Sequence, residues 1–148
     1  MTLTGFEKGT LGISGITALG IGVFTLAAPR TFYASYGITL GDDASLLSEL
    51  RAPAAGLAAL GVLMLAGLVR SAFSQVAIAA ALTVFLAFPA GRLIGLMVDG
   101  MPSGGIIGAL VLELAIAVLC LTAFRRRLRP GASASADSRF TAAGSVSR

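Results

Sequence analysis

Histidine is absent from the 148 residues, cysteine occurs once, as Cys120, and charged side chains make up only 12%. Each shortage removes a class of chemistry. Without histidine and with a single thiol, the usual ligand sets of structural zinc and of haem are missing, and so are a disulfide and a dithiol exchanger. No nucleophile can be paired with an imidazole base, so the familiar acyl-transfer constellations are excluded. A soluble domain is normally about one quarter charged, and a chain this poor in charge cannot cover its apolar surface with polar groups. The net charge of +4 raises the question of nucleic acid. The basic residues, however, cluster beside apolar segments rather than over a polar, aromatic-studded surface, which is a pattern of membrane topology and not of nucleic-acid binding. Neither a cofactor nor a metal ion is expected.

Hydrophobic residues are plentiful, at 56% of the chain, with a mean hydropathy of +0.91. They fall into four runs, at residues 9–28, 52–69, 76–98 and 104–124. Each run is close to the ~20 residues a helix needs to cross a ~30 Å hydrocarbon core. Helix is the form available to such runs, because a lone strand would leave its backbone unpaired in lipid and the alternation of a membrane barrel is missing. Glu7 offsets Lys8 ahead of the first run, and that run exceeds the ~7–15 residues of a cleaved leader, so a retained first helix is expected.

The fold class that follows is all-α: an integral membrane four-helix bundle with up-down topology. Its helices are predicted at about 9–28, 45–69, 76–98 and 104–124, within a domain covering residues 1–126. A tail at 127–148 is expected to be basic and then disordered, since PGASASADSRFTAAGSVSR has little to bury. Lys8, Arg70, Arg125, Arg126, Arg127 and Arg129 share one side, leaving Arg30 and Arg51 near the other. The positive-inside rule then places both termini in the cytoplasm, in a multi-pass protein of the cell membrane. The longest connection, PRTFYASYGITLGDDASLLSEL, falls outside, with Phe32, Tyr33 and Tyr36 suited to the headgroup layer and Asp42 and Asp43 offering caps to the second helix. Pro53 and Pro89 lie within helices and free the carbonyls of residues 49 and 85.

Small residues recur four apart at Gly5 and Gly9, Ala52 and Gly56, Gly91 and Gly95, and Gly104 and Gly108. Such spacing suits close helix packing within the bundle, or a face for a membrane-protein partner or a second copy. The run RRRLR at 125–129 fixes orientation and meets membrane lipids. Cys120, among apolar neighbours, reads as packing.

The charges inside the spans carry most information: Glu49, Arg51, Arg92, Asp99 and Glu113 all fall in the outer half of the membrane. At 1.5 Å per residue, Arg92 lies about 10 Å below Asp99, and Glu113 about 13 Å below the start of the last helix. Side chains lean toward the N-terminus of their helix, so Arg92 leans deeper and Glu113 leans outward, toward one another. An unpaired charge near the bilayer centre costs on the order of 3 kcal/mol or more, and an Arg92–Glu113 pair is the expected remedy. Asp99 lies seven residues from Arg92 on one stripe. Glu49 shares a stripe with Pro53 and Gly56 and is expected to face inward, with Arg51 reaching out at the rim.

These same residues resemble a family of small four-helix bacterial membrane proteins known as domain of unknown function 4345. The shared pattern is Glu49-Leu50-Arg51 opening the second helix, Gly91-Arg92 and then Asp99-Gly100-Met101-Pro102 closing the third, and Glu113 within the fourth. Ala52-Pro53 stands where the family pattern has a glycine, and Gly95 where it has a small polar residue. A more distant similarity to DoxX-like proteins, some of them accessory subunits of membrane complexes, goes with it. The resemblance implies a fold and a shared polar site, without an activity.

Three functions compete at this level. The charged set lines a site for a small polar molecule, a lipid headgroup or a proton; or it only clamps an accessory subunit of a larger complex; or Glu113 or Asp99 serves a membrane enzyme as acid or base. The first is preferred and the enzyme ranks last. Charges converging on a void favour binding, and charges that only fill one another favour the clamp.

Overall fold

The structure is a computed structural model, and it describes residues 2–128; the polar tail expected to be disordered lies outside the described residues. Helix α1 spans Gly5–Ala27, a short α2 spans Pro29–Ala34, α3 spans Ala44–Val69, α4 spans Ser74–Asp99 after a single 3-10 turn at Ser71–Phe73, and α5 spans Gly104–Leu128. All four long helices are long and apolar enough to cross a membrane, which marks a multi-pass membrane protein.

Local chemistry sets the boundaries. Helix α1 begins four residues ahead of the predicted start because Thr4 and Glu7 form a capping box. The Thr4 amide donates to Glu7 Oε2 at 2.7 Å and the Glu7 amide donates to Thr4 Oγ1 at 3.3 Å. Helix α2 had no counterpart in the reading of the sequence; Pro29 stands at its start, where a fixed φ and a missing N–H cost nothing. Asp43 caps α3 by accepting from the Ser45 amide at 2.9 Å. Gly100 closes α4 with φ +92°, a region closed to most side chains, and Pro102 follows it. Helix α5 runs past the predicted residue 124 through Arg125–Arg127, so the folded unit extends beyond residue 126.

Helix α1 lies closest to α3, which packs on α4; α4 packs on α5, and α5 returns to α1. The α1–α3 seam is made by glycines. A methyl added to Gly22 would stand 2.5 Å from the Ala58 nitrogen, and one added to Gly61 would stand 2.5 Å from the Leu19 nitrogen, so the two backbones touch. Gly15 faces the same seam, where an added methyl would meet the Leu65 side chain at 2.8 Å. The pairs expected from four-residue spacing do not pack the bundle. At Gly5, Gly9, Gly56, Gly91, Gly104 and Gly108 an added methyl meets nothing within 4 Å, and at Gly95 only Asp99 of its own helix.

The bundle has two unlike halves. Toward the start of α1 and the end of α5 it is dense: Leu11, Met64, Ala77, Ala81, Cys120 and Phe124 are fully buried. Ser14 Oγ meets Cys120 Sγ at 3.4 Å, and Ser74 donates to the Gly67 carbonyl at 3.2 Å, so the small polar groups here are satisfied. Cys120 is packing, with a hydroxyl for a neighbour. Large apolar side chains such as Ile16, Val62, Ile94 and Val118 point away from the bundle, as expected of helices facing lipid.

If the glycine seam holds α1 and α3 together, Gly22→Ala and Gly61→Ala should each destabilise the protein by about 1–3 kcal/mol through overpacking. Gly56→Ala and Gly91→Ala, with open space at the added methyl, should be neutral or stabilise by up to about 1 kcal/mol from helix propensity. Thermal unfolding in detergent measures the difference, and equal losses at all four positions would refute the seam.

Candidate functional site

The other half is hollow. A cavity of about 400 Å³ is bounded by α1 from Thr17 to Thr25, α3 from Leu50 to Leu57, α4 from Val84 to Arg92 and α5 from Ile106 to Glu113. Phe32, Tyr33 and Tyr36, on α2 and the turn after it, and Ile38 beyond them complete the wall. Its surface is mainly aliphatic and aromatic. Arg92 and Glu113 are the charged residues among those that line it.

These two residues meet. Arg92 Nε donates to Glu113 Oε2 at 2.9 Å and to Oε1 at 3.1 Å, across from α4 to α5. The Glu113 side chain is 9% exposed and that of Arg92 29%. One nitrogen therefore serves both carboxylate oxygens, and the two terminal nitrogens of the guanidinium make no hydrogen bond among the described residues. Neither of them is sealed from solvent-sized access. The guanidinium fork is thus half used, on a residue that lines the cavity.

The other three expected site residues stand elsewhere. Glu49 is exposed and does not line the cavity, contrary to the inward orientation expected for it. The face of α3 that packs inward carries Leu47, Ala54, Leu57, Gly61 and Met64, and Glu49 lies off that row. Asp99 is exposed too. It continues the stripe of Arg92, but the last residue of α4 to be buried is Pro89, and the exposure of Met97, Val98 and Asp99 shows that the last turn lies outside the packed bundle. Arg51 is at the rim as expected, with a partner that the sequence did not announce: its Nε donates to the Leu26 carbonyl at 3.2 Å. It supplies to the C-terminal end of α1 the positive charge that the last turn of α1 lacks.

A short helix forms the cavity's outer cover. Phe32 sits at the centre of an edge-to-face cluster, 5.5 Å from the Phe24 ring, 5.4 Å from Tyr33 and 5.1 Å from Tyr36. These aromatics, expected to rest in the headgroup layer, are half-buried against the cavity. The turn that follows is fastened by Ser103 Oγ donating to the Tyr36 carbonyl at 2.6 Å and by an Arg30–Asp42 ion pair at 2.7 Å. Gly105 permits the approach, since an added methyl would meet the Tyr36 ring at 3.1 Å.

A third ion pair, Glu7 with Arg127, has no counterpart in the sequence pattern, which offers Glu7 only as an offset to Lys8. Arg127 reaches across from α5, with Nη2 donating to Glu7 Oε2 at 2.8 Å and to the Thr2 carbonyl at 3.0 Å. The available signal was Thr4-x-x-Glu7 ahead of an apolar run, a capping-box pattern that fixes the carboxylate at a helix start.

Removing one member of the Arg92–Glu113 pair should leave a charge stranded in the bundle. Arg92→Ala or Glu113→Ala alone is expected to cost about 3 kcal/mol or more. The Arg92→Leu/Glu113→Leu double variant should be milder than the sum of the two single leucine changes. Glu49→Gln and Asp99→Asn should stay within about 0.5 kcal/mol of the parent. A double-mutant cycle by thermal unfolding gives the coupling, and strict additivity would contradict the geometry.

No curated protein and no solved structure matches the chain. A family model does, that of a domain of unknown function (DUF4345), over residues 6–124. The matched stretch holds the whole hollow half and both members of the Arg92–Glu113 pair, and it carries no bearing on the DoxX-like proteins. The chain belongs to the DUF4345 family.

Proposed function

We propose that this chain is a multi-pass plasma-membrane protein that binds a small amphiphilic molecule in its hollow half. The observation that carries the reading is the cavity itself: about 400 Å³ of space walled by apolar side chains and bordered by one ion pair. Its volume lies within the ~300–1,000 Å³ usual for small-molecule sites, and so does its composition, mostly apolar with a few convergent polar groups. A clamp that only fixed helix register would need Arg92 and Glu113 but no void beside them, because packing would close the space around the pair.

In this reading both termini lie in the cytoplasm and the long helices run up and down, a topology that the distribution of basic residues supports. Lys8, Arg70 and Arg125–Arg127 gather at the ends where α1 begins, α3 ends and α5 ends, and the Glu7–Arg127 pair ties two of those ends together. The cavity then opens in the extracytoplasmic half, with α2 lying at that interface. The molecule is supplied by the outer leaflet or the space beyond it. The preference for a polar molecule or headgroup shifts accordingly: one end of the ligand meets the ion pair, and the rest lies against a wall that is mainly hydrocarbon.

Two experiments test this. A reporter fused after Arg70 or after Arg129 should read cytoplasm, and one placed near Gly41 should read outside; an outside reading after Arg129 would overturn the topology. For binding, Gly108 lines the cavity, is exposed and has open space at an added methyl, so Gly108→Phe should obstruct the cavity from its exposed edge while leaving the fold intact. Native mass spectrometry from lipid particles should show the parent carrying a small molecule that Gly108→Phe has lost at unchanged melting temperature. A parent without such a mass, or a variant that retains it, would refute the binding reading.

A further inference from the structure

Granting the cavity reading above, we infer that the molecule it takes is uncharged and presents a hydrogen-bond-accepting oxygen, a carbonyl or a hydroxyl, to the terminal nitrogens of Arg92. Three observations converge on that chemistry. The first is charge. Arg92 and Glu113 are the charged residues lining the cavity, and they are paired, so the site is already neutral. An anionic head would leave one uncompensated negative charge in a low-dielectric bundle, and a cationic head one positive charge. The penalty for a stray charge at membrane depth corresponds to about a hundredfold in affinity or more.

The second observation is the direction of the free hydrogen-bonding capacity. Both Glu113 oxygens accept from Arg92 Nε. Each of these oxygens keeps a further lone pair, and the terminal part of the guanidinium, which donates and never accepts, makes no hydrogen bond among the described residues. An ammonium or amide N–H group would find no matching acceptor on the guanidinium. An oxygen with a lone pair does, and a carbonyl can take both terminal nitrogens at once. Glu113 is then a positioning residue: it holds Arg92, a residue of the cavity wall, by Nε and leaves both terminal nitrogens free.

The third is the remainder of the wall. Phe85, Phe88, Leu57 and Ile106 contribute hydrocarbon, and the volume of about 400 Å³ holds roughly a dozen groups the size of water. A polar end on a mostly hydrocarbon body of that size suits a lining in which Thr17, Thr25, Tyr33 and Tyr36 are the hydroxyl-bearing residues beside the ion pair, whereas a molecule polar throughout would lose its hydration against the apolar side chains without compensation.

The test compares decanol, decanoate and decylammonium, which share a hydrocarbon body and differ in the charge of the head. Affinities are measured by calorimetry on the full chain in detergent. For the parent protein, decanol should bind at least about tenfold more tightly than either ion, and Gly108→Phe should abolish that binding. In Arg92→Leu/Glu113→Leu, which keeps the site neutral and removes the donors, decanol should weaken about tenfold, the usual scale of a lost hydrogen bond to a charged group. Preference for decanoate or decylammonium, abolished by Gly108→Phe, would overturn the uncharged-ligand inference and leave the cavity reading standing. Decanol binding unaffected by the leucine pair would remove Arg92 as the contact. Decanol binding equally to the parent and to Gly108→Phe would overturn the cavity reading as well, and so would no binding of any of the three together with no co-purifying mass.

Discussion

Helices immersed in hydrocarbon gain nothing by turning apolar faces to one another, so what holds this bundle together must come from close contact and from satisfied polar groups. The α1–α3 seam meets the first requirement. At Gly22 and Gly61 the two backbones approach until no side chain fits between them, and dispersion acts over the length of the contact rather than at a few protruding atoms. Charged side chains answer the polar requirement in three contacts: Glu7 with Arg127, whose Nη1 stays buried without a hydrogen bond, Arg92 with Glu113, and Arg51 with the Leu26 carbonyl. The first joins the first long helix to the last, and the second ties two consecutive helices.

That division of labour explains why one half is dense and the other open. Near the termini, small and large residues interlock around Leu11, Met64 and Phe124. In the other half the contact between α4 and α5 is bridged by two long side chains, Arg92 and Glu113, and α2 covers the space with a layer of aromatic rings. Each of the five helices contributes to the cavity wall. The void is thus a property of the arrangement and of no single segment.

The four spans and the Arg92–Glu113 pair were legible in the sequence because both rest on one-dimensional quantities. Length and apolarity define a span, and depth along a helix follows from counting residues. Rotation about the helix axis was not legible. A lipid-facing helix is apolar on every side, so no polar stripe identifies the outer face, and Glu49 and Asp99 were turned inward without a signal to the contrary. Glycine spacing failed for a related reason: with 19 glycines in the chain, four-residue pairs arise often, while the glycines that make the seam lie opposite one another on different helices. Helix α2 was hidden by its brevity, and the cavity by the fact that no residue type encodes an empty space.

The hollow half has a consequence for how the protein behaves outside a membrane. A core lacking its centre borrows packing from whatever occupies it, and an occupant that binds only the folded chain adds to its stability by mass action, in proportion to the logarithm of its concentration. Here such an occupant would touch all five helices at once and act as a removable piece of the interior. Under the binding proposal, detergent extraction that stripped such an occupant would leave a softer molecule, with the loosening concentrated in α2 and the helix turns around the cavity, away from the dense end around Leu11, Met64 and Phe124.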